Sequence, residues 1–309
     1  MSSKVRIIGI IIMAVAVVFL VRRFLSFQVD FAELFTLETI PGIILVTATI
    51  MGAVFLLSVC WTIWLTFFSG KKVVFPATYS VFARSNLAKY LPGNIAQYAM
   101  RQLYSSSLGI KQREILISSI LEILTMALTA IILSLILARD IFFSFLHDSF
   151  ERPWLLPVII AAIAAVVAGA RLFLRKKKVP GGEILGYFKQ NGFIKAILKV
   201  IGLTAIVITV YGTTLLVFFG LSADADIGTY GFLIVSAGIV SWLIGFITPG
   251  VPGGIGVREA VLLLMLAPVI PEEVVLYAAV AQRVAYIFAD IFSWVAGKAV
   301  SLRPELGVK

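Results

Sequence analysis

The sequence predicts an all-α polytopic membrane protein of about eight transmembrane helices, with two re-entrant segments broken by proline and glycine. Hydrophobic residues make up 61% of the 309 residues and charged residues only 14%, whereas a soluble domain is about half apolar and a quarter charged. Apolar runs of about the length that crosses a bilayer, roughly 20 residues, recur along the chain. They are residues 5–21, 43–68, 115–138, 154–174, 200–221, 227–247 and 274–300, with a shorter run at 257–270. Residues 1–309 are interpreted as a single integral membrane domain.

The placement of basic residues predicts an orientation in which both termini are cytoplasmic. Residues 171–199 carry eight lysine and arginine residues and one acid, Glu183. Loops on the cytoplasmic side are enriched in lysine and arginine, so this basic loop is expected to be cytoplasmic, in a plasma or inner membrane. We prefer contact with anionic lipid head groups to nucleic-acid binding, because no folded domain accompanies the loop.

The chain contains one cysteine, Cys60, and one histidine, His147. Disulfide frameworks and Cys/His metal sites are therefore excluded. A Ser-His-acid triad would have to use His147, which lies in a loop predicted to be short and external. The phosphate-binding pattern GxxxxGK[ST] is absent, so ATP is not expected to be the energy source. We expect no cofactor, no metal and no enzymatic activity.

The first broken segment covers about residues 76–107, where polar residues are threaded through apolar and aromatic ones. Its charged members are Arg84, Lys89 and Arg101. A turn interrupts it at Pro92, Gly93 and Asn94. Two short amphipathic helices that enter and leave the membrane would give this pattern. A helix lying flat on the inner leaflet is the alternative, although such a helix does not require a break in the middle.

The second broken segment covers about residues 248–270. Its helix-breaking residues are Pro249, Gly250, Pro252, Gly253, Gly254 and Gly256. Proline lacks a backbone donor and glycine adds backbone freedom, and broken backbone at bilayer depth is tolerated only where protein or a wet cavity surrounds it. Arg258 and Glu259 follow at once. Whether residues 257–270 then cross the membrane or return is left open.

The two broken segments are similar to each other, since each has a Pro-Gly break that is followed by basic residues. Matched interruptions in two halves of a membrane protein indicate a transporter's binding site. An internal pseudo-repeat is therefore expected.

Ionisable residues also fall within the predicted spans. Glu122 lies in the run at 115–138, where a carboxylate costs about 2.5–3.5 kcal/mol near the bilayer centre. We expect it to face the bundle interior and to have a partner, although a position near the inner end would let it reach the interface. Arg283, Tyr286 and Asp290 are three and four residues apart and share one helix face. Arg283 is expected to pair with Glu122 or with Glu259, in a structural or a functional role.

These residues resemble the transmembrane, flippase-like domain of lysylphosphatidylglycerol synthases. The resemblance is carried by Tyr-Leu-Pro-Gly at 90–93, Pro-Gly-Gly-x-Gly-x-x-Glu at 252–259 and Arg-Val-Ala-Tyr at 283–286, and it covers nearly the whole chain. It implies a helical bundle with re-entrant segments that moves lipids between leaflets. By position, it implies site roles for Pro92, Gly93, Arg101, Glu122, Gly253, Gly254, Gly256, Glu259, Arg283 and Tyr286. Because the chain ends at Lys309, it resembles a stand-alone member without the soluble aminoacyltransferase domain, and lysyl transfer is not expected.

The expected function is translocation of an anionic phospholipid or a polyisoprenoid-linked glycolipid between leaflets. A charged head group must stay solvated or paired while it crosses hydrocarbon, and helix N-termini such as the one after Gly256 are expected to add N–H donors for the anion. The expected head-group ligands are Arg84, Lys89, Arg101, Arg258, Arg283 and Tyr286. The buried acids expected beside them are Glu122, Glu259 and Asp290. The alternatives are an integral membrane enzyme or a non-transporting scaffold in lipid or envelope-glycan biosynthesis. A membrane lipid is the expected partner, with a homodimer or a lipid-biosynthetic enzyme as further partners.

Overall fold

The computed structural model describes residues 35–91, 96–137, 186, 190–221, 225–248 and 251–301. The helices in these ranges are α1 (Thr39–Ser69), α2 (Phe75–Asn86), α3 (Ala96–Tyr104), α4 (Gln112–Leu137), α5 (Phe193–Phe219), α6 (Ile227–Ile247), α7 (Val257–Leu266) and α8 (Glu272–Ser301). Short 3₁₀ turns lie at Leu87–Tyr90, Ser105–Leu108 and Pro252–Gly254. The described chain is entirely helical, which confirms the predicted all-α class. The apolar runs at 5–21 and 154–174, and most of the basic loop at 171–199, lie outside the described residues.

Five of the described helices are long and apolar enough to cross a membrane, namely α1, α4, α5, α6 and α8. These helices indicate an integral membrane protein. The run at 257–270 behaves differently, because its helix α7 has only ten residues. At 1.5 Å per residue it rises about 15 Å, roughly half of the ~30 Å hydrocarbon core. This run is therefore too short to cross as a helix.

The ends of the long helices follow from their local sequence. α1 ends at Gly70, whose φ of 63° is the left-handed conformation that glycine adopts without strain. α6 begins after Asp226, whose carboxylate accepts hydrogen bonds from the Thr229 hydroxyl at 2.6 Å and the Thr229 backbone N–H at 3.1 Å. These hydrogen bonds lower the pKa of Asp226, because they favour its ionised form.

Helix α8 packs against α1, α2, α5 and α7. Small buried residues line it, namely Ala278, Ala279, Ala281, Ala285, Ala289 and Gly297, and small residues allow helix backbones to approach closely. The Ser80 hydroxyl of α2 donates to the Gly297 carbonyl at 2.7 Å. The Thr47 hydroxyl of α1 donates to the Ala285 carbonyl at 3.2 Å. α8 therefore connects the elements that position the site.

Helices α5 and α6 cross at two glycines. A methyl group on Gly238 would lie only 2.9 Å from the Cα atom of Gly212 and 2.8 Å from the Leu215 side chain, so a larger residue would push the helices apart. The close crossing brings Tyr211 and Trp242 into a stack with ring centroids 5.7 Å apart. This stack forms one wall of the site described next.

Candidate functional site

A buried cavity of about 70 Å³ lies where the two broken segments meet α4, α5, α6 and α8. Its charged lining residues are Lys89, Arg101, Glu122, Arg258 and Arg283. A water molecule needs about 10–15 Å³ of such space. The cavity therefore has room for a handful of water molecules or for one small anionic group.

The two broken segments touch each other at the cavity. A methyl group on Gly253 would lie 3.2 Å from Cε1 of Tyr90, so the tyrosine ring lies directly against the glycine. Gly253, Gly254 and Gly256 have φ values of 57°, 74° and 88°, in a region that other residues rarely adopt. These three predicted turn glycines are thus required by the backbone. Pro252 begins the 3₁₀ turn Pro252–Gly254, whereas the predicted turn residues Pro92, Gly93, Asn94, Pro249 and Gly250 lie outside the described residues.

Arg283 is held by the second broken segment. Its Nη2 and Nε atoms donate to Oε1 of Glu259 at 2.9 and 3.2 Å, and its Nη1 donates to the Gly253 carbonyl at 2.8 Å. Of the two partners expected for Arg283, Glu259 is the one observed. The other oxygen of Glu259 accepts the Gly256 backbone N–H at 2.6 Å. The Gly256 N–H is therefore occupied by the helix's own glutamate and is not available to an anion.

Arg101 and Glu122 form a buried ion pair between α3 and α4. Glu122 is 2% exposed, so it faces the bundle interior and has a partner, as expected. The Arg101 guanidinium carbon lies 4.3 Å from the Phe82 ring centroid, 4.9 Å from that of Trp61 and 5.3 Å from that of Tyr98. These aromatic faces attract the cation and fix its position at the cavity wall.

Asp290 holds the first broken segment to α8. Its carboxylate accepts from Lys89 Nζ at 2.7 Å, Asn86 Nδ2 at 2.8 Å and the Tyr90 hydroxyl at 2.5 Å. The side chain of Asp290 is fully buried, while that of Lys89 is 22% exposed. Sequence reasoning placed Lys89 among the head-group ligands and did not identify this pair. The available signal was the spacing of Asn86, Lys89 and Tyr90, which places three donors near one another.

Arg258 lines the cavity without a carboxylate partner among the described residues. Its Nε atom is buried and has no hydrogen-bond partner, and its guanidinium carbon lies 5.7 Å from the Trp242 ring centroid. The side chain runs past Gly245 and Gly254, where added methyl groups would lie 2.5–2.8 Å from its atoms. Arg258 is thus a cation that faces the cavity and is not neutralised there.

The remaining predicted ligands divide between the cavity and its surroundings. Tyr286 lines the cavity, and its hydroxyl donates to the Tyr211 carbonyl at 3.2 Å. Arg84 does not line it, since its guanidinium carbon lies 4.4 Å from the Tyr104 ring centroid on another side of α2. Arg84 therefore lies outside the group of residues that line the cavity. Sequence reasoning missed other lining residues, namely Asn86, Tyr90, Gln97, Tyr98, Tyr211 and Trp242.

The ionisable groups at the site leave an excess of positive charge. The four cations are Lys89, Arg101, Arg258 and Arg283, and the three acids are Glu122, Glu259 and Asp290. Each acid is paired with a different cation, which leaves Arg258. Within the described ranges, no group of three or more His, Cys, Asp or Glu residues is arranged to hold a metal ion. The site is therefore suited to an anion.

Comparison with known proteins identified no relative of this chain. No family model matches it, and no similar curated protein or solved structure was found.

Proposed function

We propose that the protein moves a lipid with an anionic head group between the two leaflets of a cell membrane, as a flippase or scramblase. The observation that carries this proposal is Arg258, which has no carboxylate partner among the described residues and lies in a cavity between the two broken segments. Isolated charge is costly in a low-dielectric interior. A buried arginine without a partner destabilises the protein unless an anion binds to it at some stage of the transport cycle.

The depth of the cavity supports a role in crossing the membrane. Arg283 lies eleven residues after the first residue of α8, and Glu122 lies ten residues after the first residue of α4. At 1.5 Å per residue these positions are about 15–17 Å from the N-terminal ends of the two helices. A cavity at this depth is consistent with a position near the middle of a hydrocarbon core about 30 Å thick.

The first broken segment reaches the depth of the cavity. Ser80 contacts Gly297, and Asn86 contacts Asp290, so α2 runs antiparallel to α8. Tyr90 then reaches Gly253, the glycine bound by Arg283. From position 297 to position 283 the helix axis covers about 21 Å. Because α2 and α3 have only twelve and nine residues, we infer a re-entrant hairpin.

The second broken segment is proposed to re-enter in the same way, so that the two segments meet tip to tip. α7 is a half-length helix whose first turn lies beside Arg283. Re-entry of the second segment removes the run at 257–270 from the eight predicted spans, and an internal pseudo-repeat remains part of the proposal. So does membership of the flippase-like family, since Tyr90, Gly253, Arg258, Arg283 and Tyr286 of the resembling motifs line the cavity.

The arrangement suggests a route along which the charge of the head group stays paired with a cation of the protein. Arg258 would bind the phosphate, while the acids hold Lys89, Arg101 and Arg283 in place and keep them from binding the anion too tightly to release it. The acyl chains would stay in lipid. A pocket for a drug-sized ligand usually has about 300–1,000 Å³, and the cavity has about 70 Å³. The observed cavity is therefore too small for a whole head group, and we propose that the contact between Tyr90 and Gly253 opens to let one pass.

An enzyme acting on lipid head groups is supported less well. A general acid or base needs a carboxylate that is available to the substrate. At this site Glu122, Glu259 and Asp290 are each engaged in a buried ion pair. The arrangement favours binding and release over proton transfer.

Fluorescent-lipid scrambling in proteoliposomes tests the proposal. The wild-type protein should increase the fraction of inner-leaflet NBD-labelled phospholipid that dithionite quenches. Arg258→Gln should reduce the rate by about 10–100-fold, because a hydrogen bond to a charged group contributes about 1.5–3 kcal/mol. Arg84→Gln is the matched control, since Arg84 lies outside the cavity, and it should retain activity. If wild-type protein does not exceed empty vesicles for phospholipids or for isoprenoid-linked lipids, the proposal is wrong.

A further inference from the structure

The pairing of charges around the cavity sets the charge of the ligand that it can hold. Three ion pairs, Lys89–Asp290, Arg101–Glu122 and Arg283–Glu259, are each electrically neutral. Arg258 is the fourth cation. The net charge of the described site is therefore one positive charge.

The other groups at the cavity do not alter this charge. The polar lining residues are amides and hydroxyls, namely Asn86, Gln97, Tyr90, Tyr98, Tyr211 and Tyr286. In the sequence, positions 92–95 and 249–250, which lie outside the described residues, are Pro, Gly, Asn, Ile, Pro and Gly and bear no ionisable side chain. The excess charge is thus localised on one guanidinium group.

Electrostatics in a low-dielectric cavity favour a ligand that neutralises this excess. One negative charge beside Arg258 leaves every group paired. A second negative charge would remain unpaired, or it would have to draw a cation away from its carboxylate. Breaking a buried pair is strongly unfavourable, by about 3–5 kcal/mol when one partner is lost.

We propose that the cavity selects a singly charged anionic head group, such as a phosphodiester, and discriminates against a doubly charged phosphomonoester. This inference rests on the proposed function. A phosphodiester has two unesterified oxygens and one charge, and guanidinium groups bind such pairs of oxygens through two N–H donors. The single uncompensated arginine then matches the single charge of the group.

The test changes the charge of one lipid without changing its shape. Phosphomonoesters lose their second proton with a pKa of about 6, so phosphatidic acid is singly charged at pH 5 and doubly charged at pH 8.5. Phosphatidylglycerol, a phosphodiester, is singly charged at both. Both lipids would be used with a short NBD-labelled acyl chain, and transfer between leaflets would be followed by back-extraction into albumin. Rates in protein-free vesicles are subtracted.

Wild-type protein should move phosphatidylglycerol at similar rates at the two pH values, which also reports any titration of the protein itself. It should move phosphatidic acid at least about 10-fold faster at pH 5 than at pH 8.5. Equal rates for phosphatidic acid at the two pH values, with active transport of phosphatidylglycerol, would overturn the charge selection and leave the proposed function standing. No transport of either lipid would overturn the proposed function as well.

Glu122→Gln provides a second test, because it raises the charge of the site from one to two positive charges. At pH 8.5 this variant should move phosphatidic acid faster, relative to phosphatidylglycerol, than wild-type protein does. Arg84→Gln changes a charge outside the cavity and should leave the ratio unchanged. An unchanged ratio in a folded Glu122→Gln protein would contradict the inference, and the wild-type comparison remains decisive if the variant does not fold.

Discussion

The groove that holds Arg258 can be tested by adding one methyl group at Gly245. A Cβ atom there would lie 2.5 Å from Cγ and 2.8 Å from Nε of Arg258. Gly245 is inside α6 and is not among the glycines with positive φ, so alanine is compatible with its backbone. Gly245→Ala therefore isolates the steric contact with the arginine.

The expected energies have opposite signs. Alanine is more favourable than glycine inside a helix by about 0.5–1 kcal/mol. Overpacking against a buried side chain costs about 1–3 kcal/mol. We expect Gly245→Ala to lower the free energy of unfolding by about 1 kcal/mol in the wild-type background. In an Arg258→Ala background the contact is gone, and the same change should raise it by about 0.5–1 kcal/mol.

The measurement is a double-mutant cycle of unfolding in detergent, in which the coupling energy of the two sites should be about 1–3 kcal/mol. Gly202→Ala in α5 is the matched control, because no atom lies within 4 Å of its added methyl group. It should be equally stabilising in both backgrounds. If Gly245→Ala behaves like Gly202→Ala in both, Arg258 does not lie in this groove and the geometry of the cavity is wrong.

Three further predictions follow from other contacts of the site. Asp290→Ala should lower the free energy of unfolding by about 3–5 kcal/mol, because it leaves buried donors unpaired. The control Glu272→Ala, at the exposed start of α8, should change it by less than about 0.5 kcal/mol. Equal effects would refute the role of Asp290 in holding the first broken segment to α8. In a Cys60→Ser background, a short thiol cross-linker between Tyr90→Cys and Gly253→Cys should stop the lipid transfer that the same protein shows before cross-linking, and continued transfer after cross-linking would show that the segments need not part. The pKa of Asp226, which caps α6, is lowered, so its stabilisation of the start of α6 is complete above about pH 4 and is lost as the pH falls below that value. Hydrogen exchange at the start of α6 should show this pH dependence, and Asp226→Ala should remove it.

The long helices could be predicted from the sequence because their signal is local. Continuous apolar runs determine α1, α4, α5, α6 and α8. Helix α5 begins at Phe193, before the apolar run predicted from residue 200, because the residues between include lysines that end an apolar run but not a helix. The breaks at the glycines of 253–256 were also predictable, because proline and glycine act on their own backbone. The length of α7 was not, since its apolar composition continues beyond the helix end at Leu266.

The partners at the site could be predicted only in part. The alternatives for Arg283 included Glu259, which lies in a motif that had to fold back toward the last helix. The pairing of Lys89 with Asp290 joins residues 201 positions apart; the spacing of Asn86, Lys89 and Tyr90 indicates three neighbouring donors but does not indicate which acid they contact. The aromatic wall formed by Tyr211 and Trp242 likewise depends on where α5 and α6 cross, which is set by the contact of Gly212 with Gly238.

Helix α8 contacts both broken segments, and this limits how the protein can open. Asp290 holds the first segment and Arg283 holds the second, and the two residues are seven positions apart on α8. Seven residues are about two helical turns, so Asp290 and Arg283 lie on one face of α8. A rotation of α8 about its axis would therefore weaken the contacts of both residues together. A shift of α8 would therefore release both broken segments together. Release of one segment alone would require that segment's own side-chain contacts with α8 to break first.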